Sequence, residues 1–247
     1  MKVGDGLPGD RTSTPGGATG RREGPIVTLD GPAGSGKSST ARAVAGALGF
    51  NHLDSGALYR ALTYALMESG VPRQSWPGLM EEDFRALDVR VIPTDEGFEV
   101  RVGGRTVDEE LRTPDVTERV SELAGLSAAR SALIELQRDA GVRGRLVTDG
   151  RDMGTVVFPD ADVKIFLVAD LEERARRRLR ESGDPDPDAS ALREQMRQLA
   201  ERDRQDSERA HAPLREPEGA HRIDTTGLAF DQQVQAVVDL VRRLTGS

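Results

Sequence analysis

An α/β fold with a parallel sheet at its core, one inserted segment and one helical hairpin is what this 247-residue sequence predicts. Three observations carry that expectation. A complete G-x-x-x-x-G-K-[ST] loop, Gly31-Pro32-Ala33-Gly34-Ser35-Gly36-Lys37-Ser38, stands between a β-favouring run and an amphipathic helix, the order a phosphate-binding turn requires. Short apolar runs at residues 146–148 and 163–168 read as further buried strands. Residues 170–209 read as two polar helices separated by Gly183-Asp184-Pro185-Asp186-Pro187-Asp188.

Residues 1–24 are rich in Gly, Pro and Thr and lack both apolar periodicity and a secretory-signal stretch, so they are expected to be a disordered leader. Ile26-Val27-Thr28-Leu29 is the first strand and ends at the loop. A bound polyphosphate needs inward-pointing backbone N–H groups, a flexible cation and a hydroxyl for Mg²⁺. Gly31, Gly34 and Gly36 allow the backbone to approach it, Lys37 reaches the outer phosphates, and Ser38 is the expected Mg²⁺ ligand. Pro32, Ala33, Ser35 and Ser39 complete the expected nucleoside-triphosphate site. Ala41, Val44, Ala45 and Leu48 then share one helical face, and a helix starting at Lys37 aims its positive dipole end at the phosphates.

Asp54-Ser55-Gly56-Ala57-Leu58-Tyr59-Arg60 follows, with Ser55 in a small-residue turn, then a helix buried along Leu58, Leu62 and Leu66 and turning Arg60 outward. Taken alone, Arg60 is as readily an exposed helix arginine as a ligand, although its planar fork suits a monophosphate. Residues 88–92 and 98–102 alternate polar and apolar around Asp95-Glu96-Gly97, a hairpin that a strand near residues 105–107 would extend. Trp76 is read as packing between this insert and the core, so replacing it should lower stability before it alters the Michaelis constant of the acceptor. Helical residues 128–138 carry Arg130, by itself a solvated helix charge. Leu146-Val147-Thr148 is a buried strand that leaves Asp149-Gly150-Arg151-Asp152 past its carboxyl end, where open parallel sheets hold ligands. Asp149 suits either a Mg²⁺-bound water or a structural hydrogen bond.

The hairpin begins with a basic helix holding Arg174, Arg176, Arg177, Arg178 and Arg180, and its second helix is apolar along Leu192, Met196 and Leu199. Arg202, Asp206 and Arg209 lie at i, i+4 and i+7 and face one way. The bland alternative for them is a surface salt bridge of about 0.3–0.5 kcal/mol. Residues 222–225 supply a last strand, and the final helix is expected to bury Val234, Val237, Val238, Val241 and Leu244.

Composition narrows the function. A net charge of −8 disfavours a general nucleic-acid binder, and no apolar run spans a membrane. No cysteine is present, which excludes disulfides, thiolate catalysis and Cys-ligated zinc, and His52, His211 and His221 show no metal spacing. A cytoplasmic monomer is expected; a concentration-dependent sedimentation shift would contradict the monomer.

Three motifs in order, Asp54 to Arg60, Asp149-Gly150-Arg151-Asp152-Met153-Gly154-Thr155-Val156-Val157-Phe158-Pro159-Asp160, and Arg202-Asp203 with Asp206, Arg209 and Ala212-Pro213-Leu214, closely resemble bacterial cytidylate kinase from about residue 25 onward. The resemblance implies a P-loop NTPase three-layer fold with an inserted monophosphate-binding domain and a helical lid. It also implies one kinase domain over residues 25–247, with the core at 25–54, 118–170 and 210–247, the insert at 55–117 and the lid at about 171–209. It implies ATP-dependent, Mg²⁺-assisted phosphorylation of CMP or dCMP. Lys37, Arg202 and Arg209 are then the catalytic groups, with Arg174 or Arg178 as further candidate clamps. Ser55, Arg60, Arg130, Arg151, Asp152, Asp206 and Arg209 hold the acceptor, Asp152 by accepting from the cytosine amino group. Gln205, Ser207 and Glu208 depart from the more charged lid stretch of the family. A UMP or shikimate kinase is the nearest alternative; a regulatory nucleotide switch is disfavoured because no Asn-Lys-x-Asp tetrapeptide occurs.

Overall fold

The computed structural model describes residues 22–94 and 97–246. Most of the expected leader, residues 1–21, and the hairpin-turn residues Asp95 and Glu96 therefore lie outside the described residues. Five strands form the central sheet: β1 (Ile26–Asp30), β2 (Asn51–Asp54), then, farther along the chain, Leu146–Gly150, Val163–Val168 and His221–Asp224. The small sheet between them in sequence holds β3 (Val89–Thr94), β4 (Gly97–Val102) and β5 (Arg105–Thr106), paired antiparallel. The last three core strands are accordingly β6, β7 and β8.

The core sheet is parallel throughout, in the order β2-β6-β1-β7-β8. Every residue of β1 and β6 is buried, as expected of strands covered on both faces. Val27, Leu29 and Val147 face α1 (Lys37–Leu48) and the terminal helix Phe230–Thr245. Ile26 and Leu146 face the opposite layer, built from α2 (Ser55–Glu68), α4 (Pro114–Leu123) and α5 (Ser127–Ala140); the short α3 (Glu81–Arg85) packs beside α5. The alternation follows the two-residue period of a strand. Register puts Asp30 beside Gly150, and Asp149 beside both Leu29 and Asp54, so loops distant in sequence leave the sheet side by side.

Two lid helices follow β7, α6 (Leu171–Glu181) and α7 (Ala189–Glu208), making the terminal helix α8. Leu199 and Ala175 pack on Ala33 of the phosphate loop, with Leu171, Leu192 and Met196 around them. The lid thus rests on the loop it was expected to cover. Among the described residues, no helix is long and apolar enough to cross a membrane.

Some expectations need correction. Ser55 is not in a turn but opens α2 directly, because the Asp54 side chain caps the helix by accepting the Ala57 N–H at 3.0 Å. Leu244, expected in the core, is 46% exposed in the last turn of α8, while Val237, Val238 and Val241 are buried. Asp149 and Gly150 belong to β6 itself. Trp76 is 2% exposed, shares a core with Phe84 and Leu66, and donates Nε1–H to the Val71 carbonyl at 3.2 Å. Trp76→Ala is expected to cost about 3–5 kcal/mol in urea unfolding, with little change in the CMP Michaelis constant of the folded fraction. The reverse order would place the indole in the acceptor site.

Candidate active site

The phosphate loop leaves β1 at Gly31, whose φ is +149°; a Cβ there would stand 2.1 Å from the Leu167 carbonyl oxygen. Only glycine fits. Gly34 and Gly36 also have positive φ, and α1 starts at Lys37. Lys37 is 5% exposed; its Nζ donates to the Pro32 carbonyl at 2.6 Å and to Ser35 Oγ at 3.3 Å. Burial, reinforced by the Arg151 charge, holds its pKa well below the usual lysine range, while Asp149 and Asp206 counteract.

Ser38 Oγ donates to Asp149 Oδ2 at 2.5 Å, and His52 Nε2 lies 2.9 Å from Asp149 Oδ1. Hydroxyl and carboxylate oxygens brought together beside the loop are the donor chemistry of a hard cation. Among the described residues no cluster of three His, Cys, Asp or Glu side chains could hold a metal, so phosphate and water oxygens would supply most of the coordination of a Mg²⁺ ion. Asp54 lines the same wall, and burial, then the neighbouring Asp149, raises its pKa.

On the acceptor side the structure joins residues far apart in the chain. Asp152, 2% exposed, pairs with Arg130, whose guanidinium also lies 5.4 Å from the centroid of the Tyr59 ring. Arg130 is therefore not a solvated helix charge, since it too is buried. Burial raises the Asp152 pKa against the opposing charges of Arg130, Arg209 and Arg151. Asp206, 1% exposed, accepts from Arg151 Nε at 2.6 Å and pairs with Arg209. Burial alone would raise Asp206; Arg151, Arg209 and Arg202 more than offset it and hold the carboxylate low. The surface salt bridge between Arg202 and Asp206 is not formed. Burial and the Arg151 charge instead push Arg202 down to about 10, and its buried Nε, like that of Arg209, has no partner.

Arg60 does not turn outward: Thr117 Oγ1 at 2.8 Å and the Leu111 carbonyl at 3.2 Å hold it toward the cleft. Arg174, a candidate clamp, is committed to the Ala169 and Ala33 carbonyls at 3.0 and 2.9 Å and to Asp203 at 2.5 Å. Asp203 in turn accepts the Ala33 N–H at 3.0 Å, so this pair fastens the lid to the phosphate loop. Arg178 lines the cleft beside its partner Glu181. Gln205, Ser207 and Glu208 lie on the exposed side of α7.

A cleft of about 600 Å³ runs past Gly34, Lys37, Ser38, Ser39, Asp149 and Arg178. A smaller pocket of about 70 Å³ is lined by Ser55, Tyr59, Arg130, Asp152, Asp206 and Arg209. Gly56, Arg60, Arg151 and Arg202 line both. Sequence reasoning gave His52, Thr117 and Asp203 no role in supporting this site; His52 reaches Asp149 across 97 positions, Thr117 reaches Arg60 across 57, and Asp203 reaches Ala33 across 170.

A family model described as cytidylate kinase matches residues 27–243. A cytidylate kinase of an Exiguobacterium species is 42% identical over 221 residues, covering 88% of this chain and 96% of that protein. One from Bordetella bronchiseptica is 44% identical over 218 residues, covering 88% of this chain and 95% of that protein.

Proposed function

This chain belongs to the cytidylate kinase family and phosphorylates CMP or dCMP with ATP, and we propose that the transfer is direct and in line between the phosphate-loop cleft and the Asp152 pocket. The observation that carries this reading is that Arg151 and Arg202 line both spaces, so a donor γ-phosphate and an acceptor phosphate would meet between them.

In this reading residues 31–39 cradle the ATP phosphates through backbone N–H groups and the start of α1, and Lys37 is the donor-side cation. A Mg²⁺ ion bound with ATP supplies Lewis-acid charge stabilisation, with Ser38 as its protein ligand and Asp149 beside it. Arg60 and Arg151 grip the acceptor phosphate bidentately. Arg202 and Arg209, each with a buried Nε lacking a protein partner, offset the charge that spreads over the transferring group. Asp206 keeps the two flanking guanidiniums in place. No strong general base is needed, because the acceptor phosphate is largely ionised at neutral pH. The domain limits stated above, a monomeric state and a cytoplasmic location belong to the same proposal.

Asp152 reads the base. One carboxylate oxygen is taken by Arg130, and the other is left to accept the cytosine amino group; a uracil carbonyl there would leave it without a donor, at about 1–3 kcal/mol. Asp152→Asn is expected to lower kcat/KM for CMP by about 10- to 100-fold and to narrow the preference over UMP, with the ATP Michaelis constant within about threefold of wild type. An unchanged CMP-to-UMP ratio would remove Asp152 from this role.

A further inference from the structure

Asp30 takes no part in the chemistry above, yet it is the last residue of β1, next to Gly31, and has no exposed surface. Its two carboxylate oxygens are used separately: Oδ1 accepts the Met153 N–H at 2.8 Å and Oδ2 the Gly154 N–H at 2.7 Å. Those amides begin the single π-turn Met153–Val157, which follows Arg151 and Asp152 without a spacer. Within it the Asp152 carbonyl accepts the Val156 and Val157 N–H groups at 2.9 and 3.2 Å. The backbone that carries Asp152 is thus held by its own carbonyl and, one and two residues on, by Asp30.

The seat leaves no room for a side chain at Gly154. A Cβ on Gly154 would lie 2.9 Å from Thr28 Oγ1 and 3.2 Å from Asp30 Oδ2, so the loop is pressed against β1. Burial is also unfavourable to an acid here and raises the Asp30 pKa to about 6, with the two amides opposing that rise. Packing alone would be served by a neutral side chain. A carboxylate differs from its amide in offering two acceptors to two N–H groups, whereas an asparagine turns a donor toward one of them.

We infer that Asp30 is a positioning residue for acceptor recognition: it ties the 151–154 loop, and with it the Asp152 carboxylate, to the strand from which the phosphate loop springs. Donor and acceptor half-sites then keep one fixed separation. This rests on Asp152 reading the base.

The test compares full-length Asp30→Asn, Gly154→Ala and Asp152→Asn with wild type in steady-state kinetics on CMP and UMP, in equilibrium binding of a non-hydrolysable ATP analogue, and in thermal melting. Asp30→Asn is expected to lower kcat/KM for CMP about tenfold or more and to reduce the CMP-to-UMP ratio at least about threefold, with analogue affinity within about threefold. Gly154→Ala, whose added Cβ wedges the same loop away from β1, should show the same signature and carries the test should Asp30→Asn fail to fold. The double variant Asp30→Asn with Asp152→Asn should discriminate no worse than Asp152→Asn alone. A wild-type ratio in Asp30→Asn and Gly154→Ala beside a reduced ratio in Asp152→Asn would overturn the positioning role alone. A wild-type ratio in Asp152→Asn would instead overturn the base-reading role and this inference with it.

Discussion

Lys37→Ala is expected to reduce kcat by about 10³-fold or more while the protein stays folded. The ammonium is buried and held between the Pro32 carbonyl and Ser35, at the start of α1 where the loop amides converge. Charge placed in such a low-dielectric site acts strongly on the transferring group. The same burial disfavours the charge in the resting protein and lowers the lysine pKa, so deleting it relieves an unfavourable desolvation. Thermal stability should therefore be unchanged or raised, and the CMP Michaelis constant should stay near wild type, the pattern of an interaction made in the transition state. Rapid-quench transfer assays with melting curves check both parts. A residual kcat within tenfold of wild type would deny Lys37 its donor-side role.

Asp206→Ala should damage stability and acceptor use together. The buried carboxylate stands between Arg151 and Arg209 with Arg202 close by, and removing it takes from Arg151 and Arg209 the one carboxylate both pair with. Breaking a buried ion pair from one side costs about 3–5 kcal/mol, and kcat/KM for CMP should fall at least about 10²-fold as Arg151 and Arg209 lose their common anchor. The pH dependence has a definite sign. The folded-state pKa of Asp206 is held below the ordinary 3.8, so its stabilisation is present in full above that value and is lost as pH falls through the folded pKa. Urea unfolding should show the gap between wild type and Asp206→Ala at full size at neutral pH and closing in strong acid. A gap independent of pH would show that the loss is one of packing rather than charge.

How much of this was legible in the sequence depends on how local each signal is. The run from Ile26 to Leu48 could be read outright, because strand, loop glycines and helix face follow one another without interruption. The lid helices and the β3–β4 hairpin were also legible, through the Pro/Asp break and the two-residue alternation. Strand β2 was not: Asn51-His52-Leu53-Asp54 has one apolar residue, and it is a strand because β6 pairs with it. The buried ion pairs were illegible for a related reason. Arg130 meets Asp152 across 22 positions and Arg151 meets Asp206 across 55, and no periodicity in a single chain marks a charge whose partner arrives from another layer. Each was weighed as a solvated helix charge or assigned by family likeness, and neither route shows that the charge is buried. Asp30 was illegible for the same reason, since its partners Met153 and Gly154 lie 123 and 124 positions along the chain.

The most direct measurement is ADP release with ATP and Mg²⁺ against CMP, dCMP, UMP, AMP, GMP and shikimate in turn. Strong turnover confined to CMP and dCMP is the expected result, with UMP well behind. ATP binding without acceptor-dependent turnover, or turnover led by any other acceptor, would contradict a cytidine-selective transfer site between the phosphate loop and Asp152.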